Sequence, residues 1–157
     1  VSVHFIGSLQ TNKVKYIIDK VDMIQSLDSL HLAQEIERQA GKHGKRMDCL
    51  IEVNIGGEEN KGGVLPQNLF SLFEQVQKMP HIRVCGLMTI APFVTEEDEQ
   101  YMYFSQTRAL FDRLRPMLST SVSQPVLSMG MSDSLAAAIR AGSNMIRIGT
   151  AIFGARS

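Results

Sequence analysis

The strongest constraint on the fold is a regular alternation of short apolar segments with amphipathic segments along the whole chain. The apolar segments have strand length, whereas the segments between them carry apolar residues at helical spacing. This pattern predicts six strands, at residues 3–9, 21–28, 48–55, 82–90, 125–131 and 145–153. Helices are predicted between them; one begins after Ser29 as its N-cap and ends at Gly41 and Gly44. Strict alternation indicates parallel strands joined by crossover connections.

Two α/β architectures contain parallel strands connected in this way, an open doubly wound sheet and a (β/α)8 barrel. An open sheet typically binds its ligand through a G-x-G-x-x-G sequence at the first strand–helix turn, and no such sequence is present. The informative glycines instead follow the last two predicted strands, where barrel enzymes often bind phosphate. We therefore predict a (β/α)8 TIM-type barrel that forms a single domain over residues 1–157.

The number of predicted strands is lower than a complete barrel requires. Six βα units fit a chain of 157 residues, whereas a full barrel takes about 250 residues. If the last two predicted strands are barrel strands seven and eight, about six of eight units are present. We expect the first two units to be absent from this chain, which starts at Val1 without a methionine.

Charge and composition argue against several classes of protein. Sixteen basic residues balance sixteen acidic ones, so nothing favours binding to nucleic acid or to an anionic membrane. No apolar run has the length of a membrane span. Cys49 and Cys85 lie in separate apolar runs and are predicted to be buried, reduced thiols of a cytoplasmic protein. No His, Cys, Asp or Glu cluster has metal-ligand spacing, so no metal site is predicted.

The end of the chain contains two candidate phosphate-binding turns. Ser132 follows a predicted strand and precedes a helix, so it is predicted to be an N-cap whose hydroxyl and neighbouring N–H groups bind phosphate. A capping serine without a ligand remains the alternative. Gly149 and Thr150 lie in the last predicted strand, where a small residue lets an anion approach the backbone and a hydroxyl adds a donor.

Arg147 is the least ordinary residue of this segment. It lies two residues before Gly149, so strand alternation places both on the barrel side. A charged side chain there needs a partner or a ligand, which predicts a functional role. His4, Lys13 and the pair Glu52 and Asn54 are weaker candidates to line the site, and a structural role is the alternative for each.

Four segments of the chain together resemble the pyridoxal phosphate homeostasis proteins, single-domain relatives of the alanine racemase N-terminal barrel. They are HFIGSLQTNK (4–13), EVNIGGEENKGG (52–63), GLMTIAP (86–92) and LSMGMSDSLAAAIRAGSNMIRIGTAIFGAR (127–156). The resemblance covers the whole chain in the right order, and the last segment is long enough to be highly specific.

The resemblance implies a barrel that holds pyridoxal 5′-phosphate and acts in vitamin B6 balance without demonstrated catalysis. Ser132, Gly149 and Thr150 match the phosphate-binding elements, and Arg147 matches the arginine that faces the pyridine nitrogen in related racemases. The family's Schiff-base lysine belongs to a segment upstream of His4, so no catalytic residue is expected within this chain.

Three functions remain open at this point. The favoured one is a reversible pyridoxal phosphate carrier in the cytoplasm, associated with mitochondria in a eukaryote, whose partners include enzymes that depend on this cofactor. The second is an amino-acid racemase, which needs a further β-rich domain for which no room is expected after Gly154. The third is a barrel that binds another phosphorylated ligand, for which Glu52 is the obvious candidate acid or base.

Overall fold

The computed structural model describes residues 1–155, and its centre is one sheet of five parallel strands. The strands are β1 (His4–Phe5), β2 (Met23–Leu27), β3 (Met47–Val53), β4 (Ile82–Thr89) and β5 (Val126–Ser128). They lie side by side in chain order, and each pairs in parallel with the next. This sequential order confirms the predicted barrel-type α/β fold, because a doubly wound sheet reverses its strand order at a switch point.

Within the described residues, six α-helices connect or follow the strands. They are α1 (Val14–Ile17), α2 (Leu30–Lys42), α3 (Leu69–Val76), α4 (Glu97–Leu114), α5 (Leu135–Arg140) and α6 (Thr150–Phe153). Three short 3-10 helices adjoin them, at Thr11–Lys13, Pro66–Asn68 and Arg115–Met117. The predicted N-cap is confirmed, since Ser29 Oγ accepts a hydrogen bond of 3.1 Å from the N–H of Leu32. Within residues 1–155, no helix combines the length and apolar character needed to cross a membrane.

The sheet curls strongly, as part of a barrel must. Neighbouring strands lie about 4.8 Å apart, so β2 and β5, three positions apart, would be separated by about 14 Å in a flat sheet. The hydroxyl of Ser128 on β5 nevertheless donates a hydrogen bond of 2.7 Å to Gln25 Oε1 on β2. Only a curled sheet brings these two side chains together on its concave face.

The two faces of the sheet are packed differently. The convex face carries the main core, in which strand residues such as Ile51 and Leu87 pack against helix residues such as Ile36 and Phe73. The concave face has a small apolar cluster at its centre, formed by Met23, Leu50, Cys85 and Met88. Both cysteines are buried free thiols, as predicted. Polar side chains of β1, β2 and β5 also lie on the concave face, and they form part of the site described below.

The predicted sixth strand, residues 145–153, is not a strand. Met145 forms an isolated bridge with Ser128, and the N–H of Arg147 donates to Gly130 O at 3.0 Å. This segment therefore bonds to β5 and the residues after it along one edge. Within residues 1–155, no strand pairs with its other edge. At Gly149 the backbone turns, with φ −122° and ψ −74°, and the last four residues of the predicted strand form α6 instead. The described chain thus contains five strands rather than six.

Candidate functional site

A chain of polar side chains crosses the concave face of the sheet. Arg147 donates to Ser128 Oγ at 2.6 Å, and the Ser128 hydroxyl donates to Gln25 Oε1. The amide nitrogen of Gln25 is hydrogen-bonded to His4 Nδ1 at 3.0 Å and also contacts Met145 Sδ at 3.3 Å. The chain therefore joins β1, β2 and β5 to the segment that follows α5. Each of these side chains has a hydrogen-bond partner. A buried polar network is rigid only when all of its members are paired in this way.

Arg147 lies on the concave side, as strand alternation predicts. Besides Ser128, its guanidinium donates to the carbonyl oxygen of Thr89 at 2.8 Å, which fixes it between β4 and β5. Burial lowers the pKa of Arg147, and the nearby Glu52 carboxyl group opposes this effect. The result is a positive charge held in a defined orientation at the carboxyl ends of the strands, where barrel enzymes place their ligands.

Glu52 ends β3 on the same side and is the most unusual charged group of the site. Its side chain is 8% exposed, and its carboxylate makes no hydrogen bond or ion pair within residues 1–155. Burial raises the pKa of Glu52 to about 7, the nearby Asp28 carboxylate raises it further, and Arg147 opposes the rise. This carboxyl group therefore titrates near neutral pH, which is the range in which acids and bases act at functional sites.

Ser132 is not the N-cap that the sequence predicts. Ser134 occupies that position before α5, and its hydroxyl accepts from the N–H of Met131 at 3.1 Å. Ser132 Oγ instead accepts a hydrogen bond of 3.3 Å from the N–H of Ala151, in the first turn of α6. The hydroxyl therefore links the turn after β5 to the turn after Arg147. Both turns that the sequence singled out lie next to each other.

Gly149 and Thr150 form the second of these turns and face open space. A β-carbon built on Gly149 would meet no atom within 4 Å, other than those of its chain neighbours. Thr150 is exposed and starts α6, and its N–H and that of Gly149 donate no hydrogen bond among the described residues. The turn thus offers free N–H donors, a hydroxyl and room for an anion beside Ser132.

An apolar cavity of about 230 Å³ adjoins Arg147. The loop after β4 forms one wall with Pro92 and Phe93, and the turn after β5 forms the opposite wall with Gly130 and Met131. Gln100 holds the two loops together, because its side-chain amide donates to Val94 O at 2.9 Å and to Asp133 O at 3.3 Å. The site therefore combines a fixed cation, an apolar cavity and a turn with free N–H donors.

The sequence did not single out Gln25, Ser128 and Thr89, although they position Arg147. The sequence carried one signal for them, because each is a polar residue inside an otherwise apolar strand. All three are buried in the structure. Of the weaker candidates, His4 belongs to the polar chain, whereas the Lys13 side chain is exposed beside the ring of Tyr16. In the described part of the chain, no group of three or more His, Cys, Asp or Glu is arranged to hold a metal ion.

Asn54, the partner of Glu52 in the sequence prediction, has a structural role. It is 7% exposed, its amide nitrogen donates to Glu58 O at 2.8 Å, and its amide oxygen accepts from the N–H of Glu58 at 3.2 Å. These two bonds close the turn of the loop that follows β3. Asn54 therefore shapes this loop and leaves Glu52 as the free polar group of β3.

Known proteins with similar sequences and structures place this chain in a family. Residues 2–157 match the family described as alanine racemase, N-terminal domain. The pyridoxal phosphate homeostasis protein of Aquifex aeolicus is 50% identical over 153 residues, which is 98% of this chain and 66% of that protein. The protein of the same name from Pasteurella multocida is 40% identical over 153 residues, 98% of this chain and 65% of the relative. The chain thus spans slightly less than two thirds of both relatives.

A solved structure agrees with this assignment. PipY of Synechococcus elongatus PCC7942, determined with pyridoxal phosphate bound, superimposes with a TM-score of 0.86 at 30% identity. The superposition covers 98% of this chain and 71% of PipY. The resemblance found in the sequence is therefore confirmed. The chain belongs to the alanine racemase N-terminal domain family, and within it to the group that includes PipY and the pyridoxal phosphate homeostasis proteins.

Proposed function

We propose that this chain contributes the phosphate side of a pyridoxal 5′-phosphate site and that the whole protein acts in intracellular pyridoxal phosphate homeostasis. The observation that carries the proposal is the hydrogen bond from the N–H of Ala151 to Ser132 Oγ. It brings the turn after β5 and the turn at Gly149 together, next to the cavity at Arg147. The names of the curated relatives and the bound cofactor of PipY support the same ligand.

The described residues fit the phosphate group of this cofactor. Ser132 and Thr150 supply hydroxyl groups, and the open turn at Gly149 supplies backbone N–H donors to a phosphate that approaches it. Backbone N–H groups and hydroxyls are the usual ligands of phosphate in proteins, because they are neutral donors that converge on its oxygens. The cavity next to Arg147 has the apolar walls that a flat aromatic ring requires.

Arg147 is the residue we assign to the pyridine ring. Bound pyridoxal phosphate supplies an aldehyde for amines and, when its ring nitrogen is protonated, an electron sink. The Arg147 guanidinium is held by Ser128 and Thr89, and as a fixed cation it opposes protonation of a nitrogen placed beside it. This favours a reversible cytoplasmic carrier, which passes the cofactor to enzymes that depend on it, over a racemase. We expect no amino-acid racemisation by the protein.

Substitution of Gly149 by valine tests the assignment of the phosphate. We expect Gly149→Val to weaken pyridoxal phosphate binding at least about tenfold, which corresponds to about 1.4 kcal/mol, because the side chain fills the turn that the phosphate would occupy. The fold has room for the change, since a β-carbon at this position meets no atom within 4 Å. Titration followed by the absorbance of the cofactor measures the affinity, and urea unfolding checks that stability is unchanged.

Pyridoxal, which lacks the phosphate, is the matched control ligand. Its affinity is expected to be the same for the unsubstituted protein and for Gly149→Val. If Gly149→Val binds pyridoxal phosphate as tightly as the unsubstituted protein does, the phosphate lies elsewhere and the assignment of Ser132, Gly149 and Thr150 is wrong. If both ligands lose affinity equally, the substitution acts on the ring and not on the phosphate.

A further inference from the structure

A second cavity, of about 280 Å³, opens at the carboxyl ends of β1 and β3. Ile6 and Ser8 line it from the segment after β1, Glu52 from the end of β3, and Lys61 and Gly62 from the loop after β3. Ile90, after β4, adds a further apolar wall. The cavity therefore has mostly apolar sides and one buried carboxyl group.

The Glu52 carboxylate is aimed at this cavity without a partner. It is more than nine-tenths buried, and among residues 1–155 it accepts no hydrogen bond. A β-carbon built on Gly62 would lie 3.4 Å from Asp28 Oδ2 and 3.6 Å from Glu52 Oε1, so the two carboxylates converge above this glycine. Asp28 accepts a hydrogen bond of 3.2 Å from the N–H of Gly63, but Glu52 has no such compensation.

The cations nearest to Glu52 are engaged by other groups. Lys61 lines the cavity, but its ammonium lies 2.8 Å from Glu58 Oε2 in an ion pair. The Arg147 guanidinium is bound to Ser128 and Thr89. The Glu52 oxygens reach only the space of the cavity, where a carboxylate in largely apolar surroundings without a protein donor is unfavourable, and a ligand that supplies a donor would relieve this cost. Among the described residues, no positively charged group is therefore bonded to the Glu52 carboxylate.

We propose that this cavity binds an organic ammonium ion whose N–H groups donate to the Glu52 carboxylate. The charge of an ammonium group matches Glu52 and the neighbouring Asp28, and its alkyl body matches the apolar walls at Ile6 and Ile90. A simple alkylamine and the amino group of an amino acid share this chemistry. The inference does not rest on the proposed cofactor, since it depends on the Glu52 carboxylate, which does not line the cavity at Arg147, although Lys61 and Ile90 line both cavities.

Isothermal titration calorimetry with butylammonium chloride tests the proposal. The titration is run at about pH 8.5, where Glu52 is ionised and an alkylamine is still protonated. Butyltrimethylammonium, which has the charge but no N–H group, and butanol, which has no charge, are the matched ligands. The variants are Glu52→Gln and, as a control on the exposed part of the same loop, Glu59→Gln. L-Norvaline in a parallel titration distinguishes an amino acid from a simple amine.

We expect butylammonium to bind the unsubstituted protein and Glu59→Gln equally, and Glu52→Gln at least about tenfold more weakly, as the loss of one charge-assisted hydrogen bond implies. Butyltrimethylammonium and butanol are expected to bind at least as weakly as butylammonium binds Glu52→Gln. Equal binding by Glu52→Gln, or equal binding of butyltrimethylammonium, would overturn the proposal. The titration is done without pyridoxal phosphate, so failure of the cofactor proposal does not change its outcome.

Discussion

Replacement of Gly86 by alanine is expected to destabilise the fold by about 3 to 5 kcal/mol, the combined cost of a strained backbone and of overpacking. Gly86 has φ +152° and pairs with Val126, in the region where β4 and β5 approach each other closely. A β-carbon on Gly86 would overlap the carbonyl oxygen of Val126 and lie 2.7 Å from its carbonyl carbon. Neither atom can move without breaking the pairing of the two strands.

The same pairing positions the candidate site, because β5 carries Ser128 and leads to Ser132. Urea unfolding of Gly86→Ala measures the effect, with Gly7→Ala as the control. A β-carbon on Gly7 meets no atom within 4 Å, so this control is expected to change stability by less than about 1 kcal/mol. If Gly86→Ala were as stable as Gly7→Ala, β4 and β5 would not approach each other as described, and the position of Ser128 would be wrong.

Substitution of Glu52 by glutamine is expected to stabilise the protein above neutral pH. The pKa of Glu52 rises from 4.5 to about 7 on folding, mainly through burial. Between these values the native state holds a proton that the unfolded state has lost, so stability falls as pH rises through this range. The shift corresponds to a loss of at most about 3 kcal/mol, which is complete above the native pKa. Glutamine carries no charge and avoids this loss.

The difference in unfolding free energy between Glu52→Gln and the unsubstituted protein isolates this effect, since other titrating groups cancel. We expect almost no difference below about pH 4, where both forms are neutral, and a gain for Glu52→Gln that grows towards its full value above about pH 8. Glu59→Gln, on an exposed loop, is expected to show no such dependence. A constant difference across this pH range would mean that Glu52 titrates normally and has a partner in solution.

The fold was predictable because the alternation of strand and helix depends on local patterns. Residues 48–55 and 82–90 were predicted as strands, and they correspond to Met47–Val53 and Ile82–Thr89 in the structure. Residues 145–153 have an equally apolar pattern but form a bridge, a turn and a helix. Pairing partners on both sides decide whether such a segment is a strand, and a local pattern carries no information about them.

The site was only partly predictable. Arg147 was found because a charged residue among apolar strand residues is unusual, and the structure places it on the predicted face. The prediction of Ser132 as the cap of α5 was wrong, because Ser134 precedes the same helix and occupies the cap position. The contact of Ser128 with Gln25 depends on the curl of the sheet across three strand positions, which no short segment specifies.

A crystal structure of the protein with pyridoxal phosphate tests the central claim most directly. We predict that the phosphate lies within hydrogen-bond distance of Ser132 Oγ and of the N–H groups of Gly149 and Thr150, with the pyridine nitrogen next to the Arg147 guanidinium. A phosphate bound away from these turns, or a ring nitrogen that faces a carboxylate instead of Arg147, would contradict the account.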